Sequence, residues 1–162
     1  REQPRSRGLG DVYKRQRYTP YVVETSIGLS RALLVVLADA YDEEEVENST
    51  RVVLRLKPSL APIQAAVFPL VKKDGMPEVA EKLAEDLRGN FNIFYDAAGS
   101  IGRRYRRQDE TGTPFCITVD GQTGEDQMVT VRNRDTLEQT RVPLSQVSQY
   151  LHEAIHATDP HA

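Results

Sequence analysis

From Ala61 onward, short apolar runs alternate with segments of helical period, and this alternation constrains the fold more than any other feature of the chain. Residues 63–70 form a mostly apolar run of the length of a buried central strand. In residues 77–88, Val79, Leu83 and Leu87 line one helical face, Pro77 suits the first turn and Gly89 the end. Residues 91–95 and 115–119 read as further strands, and after a turn marked by Gly121 and Gly124 so do 128–132 and 139–142. Pro143 opens a last helix whose Leu144, Val147, Leu151, Ala154 and Ile155 fall on one stripe. Such alternation predicts an α/β fold, a parallel-rich sheet with helices on both faces.

Between the second and third of these strands lies a basic helix. Residues 103–107 hold four arginines and one tyrosine, followed by Asp109, Glu110 and Gly112. Ser100 is placed to cap the helix, accepting from free backbone N–H groups. Gly112 is placed to stop it in a left-handed turn. Arg103 and Arg107 share a face, and Arg106 is within reach of Asp109 and Glu110. Planar guanidiniums beside an aromatic ring suit phosphates and exposed bases. The competing reading is a solvated face laced with ion pairs.

Composition narrows the functional classes. The chain has 162 residues, enough for one ordinary domain or one domain with a piece of another. A formal net charge of −3 argues against a protein that coats nucleic acid indiscriminately, so RNA binding requires a local basic patch. A single cysteine, Cys116, excludes an internal disulfide and fits a reducing cytosol. Lying in an apolar run, it reads as a small buried hydrophobe. The longest purely apolar run, residues 32–38, is too short to span a bilayer. Residues 1–16 are basic, fit no periodic pattern and are expected to be a tag, scar or artefact.

Residues 18–28 read as extended and 29–41 as a helix apolar nearly all round, the pattern of a helix buried in a larger domain. Residues 42–47 carry five acids in six positions and read as a solvated loop. Residues 51–57 alternate toward a strand, and Pro58 and Ser59 begin the passage to the next domain.

The order of residues adds a family. Ser100-Ile101-Gly102-Arg103-Arg104-Tyr105, then Asp109-Glu110 and Gly112-Thr113-Pro114-Phe115, resembles the anticodon-binding domain of the glycyl-tRNA synthetase family. The resemblance extends to Val119-Asp120, to Thr130-Val131-Arg132-Asn133-Arg134-Asp135-Thr136, and upstream to Leu56-Lys57-Pro58 and Leu60-Ala61-Pro62-Ile63. It covers about residues 17–151. For residues 59–162 it implies a mixed five-stranded sheet in a three-layer α/β/α sandwich, the anticodon-binding domain. For 17–58 it implies the strand–helix end of a class II catalytic domain.

Within that end, Glu24-Thr25-Ser26-Ile27-Gly28-Leu29-Ser30-Arg31 resembles motif three of the class II enzymes, with Ser30 where glycine is usual. The resemblance implies that Glu24, Ser26 and Gly28 face glycine, and that Gly28 and Arg31 face ATP, a substrate with Mg2+ in the full-length enzyme. It implies a glycine–tRNA ligase, a cytoplasmic homodimer at full length, of which this chain is a fragment. With one class II motif, the fragment is expected to hold no catalytic residue, no metal and no cofactor, and to be inactive alone.

Its surviving chemistry is then recognition of glycine tRNA through the anticodon loop. Glycine codons are GGN, so the invariant anticodon letters are two cytosines. Arg103, Arg104, Arg107, Asp109, Glu110, Arg132 and Arg134 are the candidate anticodon-binding set, with Arg104 expected at a base and Arg103 and Arg107 at phosphates. The alternative is a stand-alone nucleic-acid-binding module of the same fold without aminoacylation, similar to the accessory subunit of mitochondrial DNA polymerase. Retention of Glu24, Ser26 and Arg31 argues against it.

One motif points elsewhere. His152-Glu153-Ala154-Ile155-His156 fits the H-E-x-x-H zinc-protease pattern. A catalytic zinc needs a third protein ligand, and His161 lies at the wrong distance for the extended motif. At 100° per residue both histidines point away from the apolar stripe and read as polar face residues.

Overall fold

The computed structural model describes residues 10, 11, 16, 17, 21, 23–46 and 49–157. The chain forms two compact units, Arg1–Ala32 and Leu33–Ala162. In the first, β1 (Gly10–Asp11) pairs antiparallel with β2 (Gln16–Arg17), and residues 23–28 have no regular structure. Helix α1 (Leu29–Ala40) begins in this unit and ends in the second. Its apolar side chains, Leu33, Leu34 and Val35 among them, are exposed, and only Ala40 is buried.

Residues 42–46, expected as part of a solvated loop, form a strand instead. Strand β3 (Tyr41–Val46) pairs antiparallel with β4 (Ser49–Leu54), Glu44 opposite Arg51. Glu47 lies outside the described residues. Alternate acids find cations on the half-buried side of this hairpin. Arg51 Nη1 donates to Glu44 at 2.8 Å and Arg55 Nε to Asp42 at 2.8 Å. The neutralised acids tolerate an extended backbone that composition alone disfavours.

The larger sheet has five strands in the order β6-β5-β7-β8-β9: β5 (Ala65–Pro69), β6 (Ile93–Tyr95), β7 (Phe115–Val119), β8 (Met128–Asn133) and β9 (Gln139–Pro143). Strand β5 runs parallel to both β6 and β7, while β7–β8 and β8–β9 are antiparallel. Every residue of β5 and β7 is buried, as expected of central strands covered on both faces.

On one face, helices α2 (Met76–Arg88) and α5 (Val147–His156) bury the main core, including Ala65, Val67, Ile117 and Val131 from the strands. Helix α2 presents Ala80, Leu83, Ala84 and Leu87, leaving Val79 partly exposed at the margin of the expected stripe. The two alanines let the helix backbone lie close to the sheet. On the other face, helix α3 (Ile101–Thr111) sets Ile101 and Tyr105 against Ala66, Phe68 and Cys116. The layers are therefore α/β/α, as the sequence implies. A short 3-10 turn, Leu144–Gln146, precedes α5, and the 121–124 turn becomes helix α4 (Thr123–Asp126). Asp120 starts α4, its Oδ1 accepting from the N–H groups of Gln122 and Thr123 at 3.1 Å.

The two ends of α3 differ from expectation in one respect. Ser100 is extended but makes no side-chain capping bond. Gly112 does end the helix left-handed, at φ 82°. A Cβ there would meet Leu56 Cδ1 at 2.8 Å and Leu54 Cβ at 3.2 Å, so glycine is required by conformation and by space together.

Candidate nucleic-acid interface

Helix α3 divides its charged side chains between two faces. Arg104, Gln108 and Asp109 turn inward with Tyr105, while Arg103, Arg106, Arg107 and Glu110 remain exposed. The inward face is bound to the rest of the protein at every position.

Asp109 is the centre of this inner face. It is 1% exposed and accepts from Arg51 Nε at 2.9 Å and from Arg132 Nη1 and Nη2 at 2.9 and 3.1 Å. The Arg132 guanidinium also lies over the Tyr105 ring, 4.9 Å from its centroid. Arg51 continues to Glu44 and, through Nη2, to the Arg134 carbonyl at 2.7 Å. One carboxylate thereby ties the β3–β4 hairpin, α3 and β8 together. Arg134 is 2% exposed; it pairs with Asp135 and donates to the carbonyls of Gly112 and Leu56, both at 2.8 Å.

Arg104, expected at a base, is also interior. Its Nη1 donates to the carbonyl oxygens of Pro69 at 2.6 Å and Asp96 at 3.2 Å, and its Nη2 to that of Leu70 at 3.2 Å. Its guanidinium carbon sits 5.4 Å from the Phe68 ring centroid. Burial draws its pKa below the usual arginine value, with Asp96 opposing. Arg104 therefore secures the end of β5 and the loop that leads into α3. Helical spacing accounts for the placement, since Arg104 shares the inward stripe with Ile101, Tyr105 and Gln108.

The outward residues border a surface groove of about 510 Å3 lined by Ala98, Gly99, Arg103, Arg106, Arg107 and Glu110. Arg107 pairs with Asp96 at 2.9 Å and donates to the Ala98 carbonyl at 2.8 Å, yet remains 51% exposed. Arg106 donates to Ser49 Oγ at 2.5 Å rather than pairing within the helix as its spacing suggests. The Arg103 side chain makes no hydrogen bond or ion pair among the described residues. This row offers guanidiniums at the protein surface with backbone close behind, the arrangement that grips a phosphate chain.

On the sheet side of α3 lies a second groove, of about 260 Å3, which sequence reasoning did not single out. Tyr105, Thr118, Asp120, Thr130 and Gln139 supply its polar groups, and Leu70 and Ile101 its apolar wall. Tyr105 Oη and Thr118 Oγ1 are 2.7 Å apart. Asp120 pairs with Arg141, which also binds Asp126 at 2.6 Å. The available signal was Thr118 and Thr130 alternating with Ile117 and Val131, small hydroxyls on the face opposite the main core. Burial raises the Tyr105 pKa, with the Thr118 hydrogen bond opposing, so its hydroxyl stays a donor at neutral pH. Burial likewise pushes the adjacent Cys116 thiol up to about 12, leaving it protonated and unreactive.

The motif-three residues Glu24, Ser26, Gly28 and Arg31 are all exposed. The carbonyl of Gly28 accepts from the N–H groups of Arg31 and Ala32 at 3.0 Å, which starts α1. The side chains of Glu24, Ser26 and Arg31 have no hydrogen-bond partner among the described residues. His152 and His156 are exposed, and His161 lies outside the described residues. Among the described residues, no three His, Cys, Asp or Glu side chains group as metal ligands, and no helix is long and apolar enough to cross a membrane.

Comparison with known proteins shows the family and the fold. The chain is 54% identical over 155 residues to a glycine–tRNA ligase of Rhodopirellula baltica, covering 89% of this chain and 29% of that protein. It is 55% identical over 140 residues to a glycine–tRNA ligase of Caldanaerobacter subterraneus subsp. tengcongensis, covering 86% of this chain and 30% of that protein. The chain thus spans about 30% of the length of these relatives. Among solved structures, the RNA binding domain of threonyl-tRNA synthetase from Cryptosporidium parvum superposes with a TM-score of 0.56 at 23% identity, over 62% of this chain and 25% of that one. At that identity the likeness establishes the fold. Residues 64–154, from the start of β5 nearly to the end of α5, match the model of the anticodon binding domain, and the chain belongs to that family.

Proposed function

We propose that this chain supplies the anticodon-recognising part of a glycine–tRNA ligase. The observation that carries the reading is the row Arg103, Arg106 and Arg107, exposed over a groove on the outer face of α3, within a family named for anticodon binding. The outer groove takes the phosphates of the anticodon loop. The sheet-side groove takes an unstacked base. Tyr105 offers a ring there, Asp120 an acceptor for the cytosine N4 amino group, and Thr118 and Thr130 donors for its O2 and N3 edge. Arg104, Asp109, Arg132 and Arg134, engaged with protein partners, hold the two grooves in register. Glu110 borders the outer groove and repels phosphate, which sets where the chain of phosphates runs.

In the whole protein the glycine carboxylate attacks the α-phosphorus of ATP with Mg2+, forming glycyl adenylate as pyrophosphate leaves, and the terminal ribose hydroxyl of glycine tRNA then takes the glycyl group as AMP leaves. In it, Glu24 holds the glycine ammonium, Ser26 and Gly28 shape the amino-acid site, and Arg31 clamps ATP phosphates beside Gly28. The exposed carboxylate of Glu24 and guanidinium of Arg31, neither with a hydrogen-bond partner among the described residues, support these roles. The working protein is a cytoplasmic homodimer, with residues 17–58 closing its catalytic domain and 59–162 forming the anticodon-binding domain. The compact units divide after Ala32, so the β3–β4 hairpin packs with the five-stranded sheet whichever domain supplies it.

The test is binding of a fluorescent glycine anticodon stem-loop to the chain at three salt concentrations. Arg103→Ala and Arg107→Ala are each expected to weaken binding to every RNA alike and to lower the salt slope by about 0.7, the single-strand value per phosphate. Arg103, without a partner among the described residues, should lose the more. Unchanged slopes in both variants would place the phosphate contacts elsewhere.

A further inference from the structure

We propose that His152 and His156 form a chelating site for a divalent cation of the nickel–copper–zinc group. Helix α5 buries Val147, Leu151 and Ile155 against the sheet, and its opposite side carries both histidines into solvent. They stand one turn apart, with ring centroids 4.5 Å apart and planes tilted by 51°. Neither imidazole makes a hydrogen bond or ion pair among the described residues. The intervening Glu153 carboxylate is engaged by Gln149 Nε2 at 2.8 Å. Imidazole nitrogen binds such ions at about 2.0–2.1 Å, so two adjacent ligand positions require nitrogens about 3 Å apart. Exposed rings already in contact reach that separation by side-chain rotation, with no movement of the backbone.

The donor set chooses the ion. Two neutral nitrogen ligands favour copper, nickel and zinc and offer nothing to magnesium or calcium, which prefer oxygen. Water completes the coordination, because two protein ligands are fewer than a catalytic or structural zinc site contains. The bound ion staples the last turn of α5 and stabilises the folded chain by mass action. The site needs no RNA and is independent of the proposed tRNA function.

Calorimetric titration of the full chain with nickel chloride tests the proposal. One equivalent of nickel should bind, magnesium chloride should give no heat of binding, and His161→Gln should leave the nickel affinity unchanged. His152→Gln and His156→Gln should each lower that affinity at least tenfold, with unaltered far-ultraviolet circular dichroism, since both side chains are exposed. Nickel affinity unchanged in both variants, or abolished by His161→Gln alone, would overturn the site. So would magnesium binding of equal strength.

Discussion

Replacing Asp109 by alanine is expected to destabilise the protein by about 3–5 kcal/mol, the cost of breaking a buried ion pair from one side. The carboxylate is 1% exposed, and its removal leaves the Arg51 and Arg132 guanidiniums interior with their main counter-charge gone. Arg51 retains Glu44 and the Arg134 carbonyl, and Arg132 retains the Tyr105 ring and the Cys116 sulfur. Asp109→Asn keeps the shape and part of the hydrogen bonding, and should cost about half as much. A double variant, Asp109→Leu with Arg132→Met, should cost less than the sum of its single changes, because neither partner is then left charged and alone. Urea denaturation followed by circular dichroism measures all of these. A loss below about 1 kcal/mol for Asp109→Ala would mean that water reaches the arginines and the network is not a structural centre.

Replacing Arg104 by methionine is expected to cost about 2–4 kcal/mol, since the buried carbonyl of Pro69 and the partly buried ones of Leu70 and Asp96 lose their shared donor. Arg104→Lys should recover only part, because a compact ammonium on a flexible stem cannot span three carbonyls as the guanidinium fork does. The consequence for RNA separates Arg104 from its neighbours. The loop it secures carries Ala98 and Gly99, which border the outer groove with Arg103 and Arg107. Loss of Arg104 should therefore weaken stem-loop binding while leaving the salt slope of the remaining affinity near the parent value, whereas loss of Arg103 lowers the slope. A slope reduced by about 0.7 in Arg104→Met would instead identify Arg104 as a phosphate contact.

Much of the fold is legible in the sequence because its strands and helices obey their periods. Residues 63–70 and 115–119 are mostly apolar for the simple reason that β5 and β7 are covered on both faces. The first strand of the hairpin, β3, is illegible for an equally physical reason, whereas the alternation from residue 51 points to its partner β4. A run of acids reads as solvent-exposed until Arg51 and Arg55 are brought opposite it, and only strand pairing does that. The arginine helix shows both cases within eleven residues. Its end at Gly112 follows from the residue itself, and the shared outward face of Arg103 and Arg107 follows from their spacing. The same spacing sets Arg104 on the stripe with Ile101 and Tyr105, but a charged residue there is naturally read as a ligand contact rather than as a buried tie. Asp109 was equally hidden, since its partners Arg51 and Arg132 lie 58 and 23 residues away. The base-sized groove along Thr118 and Thr130 arises from the meeting of α3 with three strands, and no single segment encodes it.

Anisotropy titration of two labelled stem-loops tests whether the chain reads the glycine anticodon as proposed. One carries the glycine anticodon; the other differs by uracil in place of one of its two invariant cytosines. The chain should bind the first more tightly by about 1–3 kcal/mol, a discrimination of roughly five- to 150-fold at fixed salt. Replacing Asp120 by asparagine should reduce that difference while retaining most of the affinity supplied by Arg103 and Arg107. Equal affinity for the two stem-loops, with identical salt slopes, would contradict anticodon reading and leave α3 as an electrostatic surface that holds RNA without reading it.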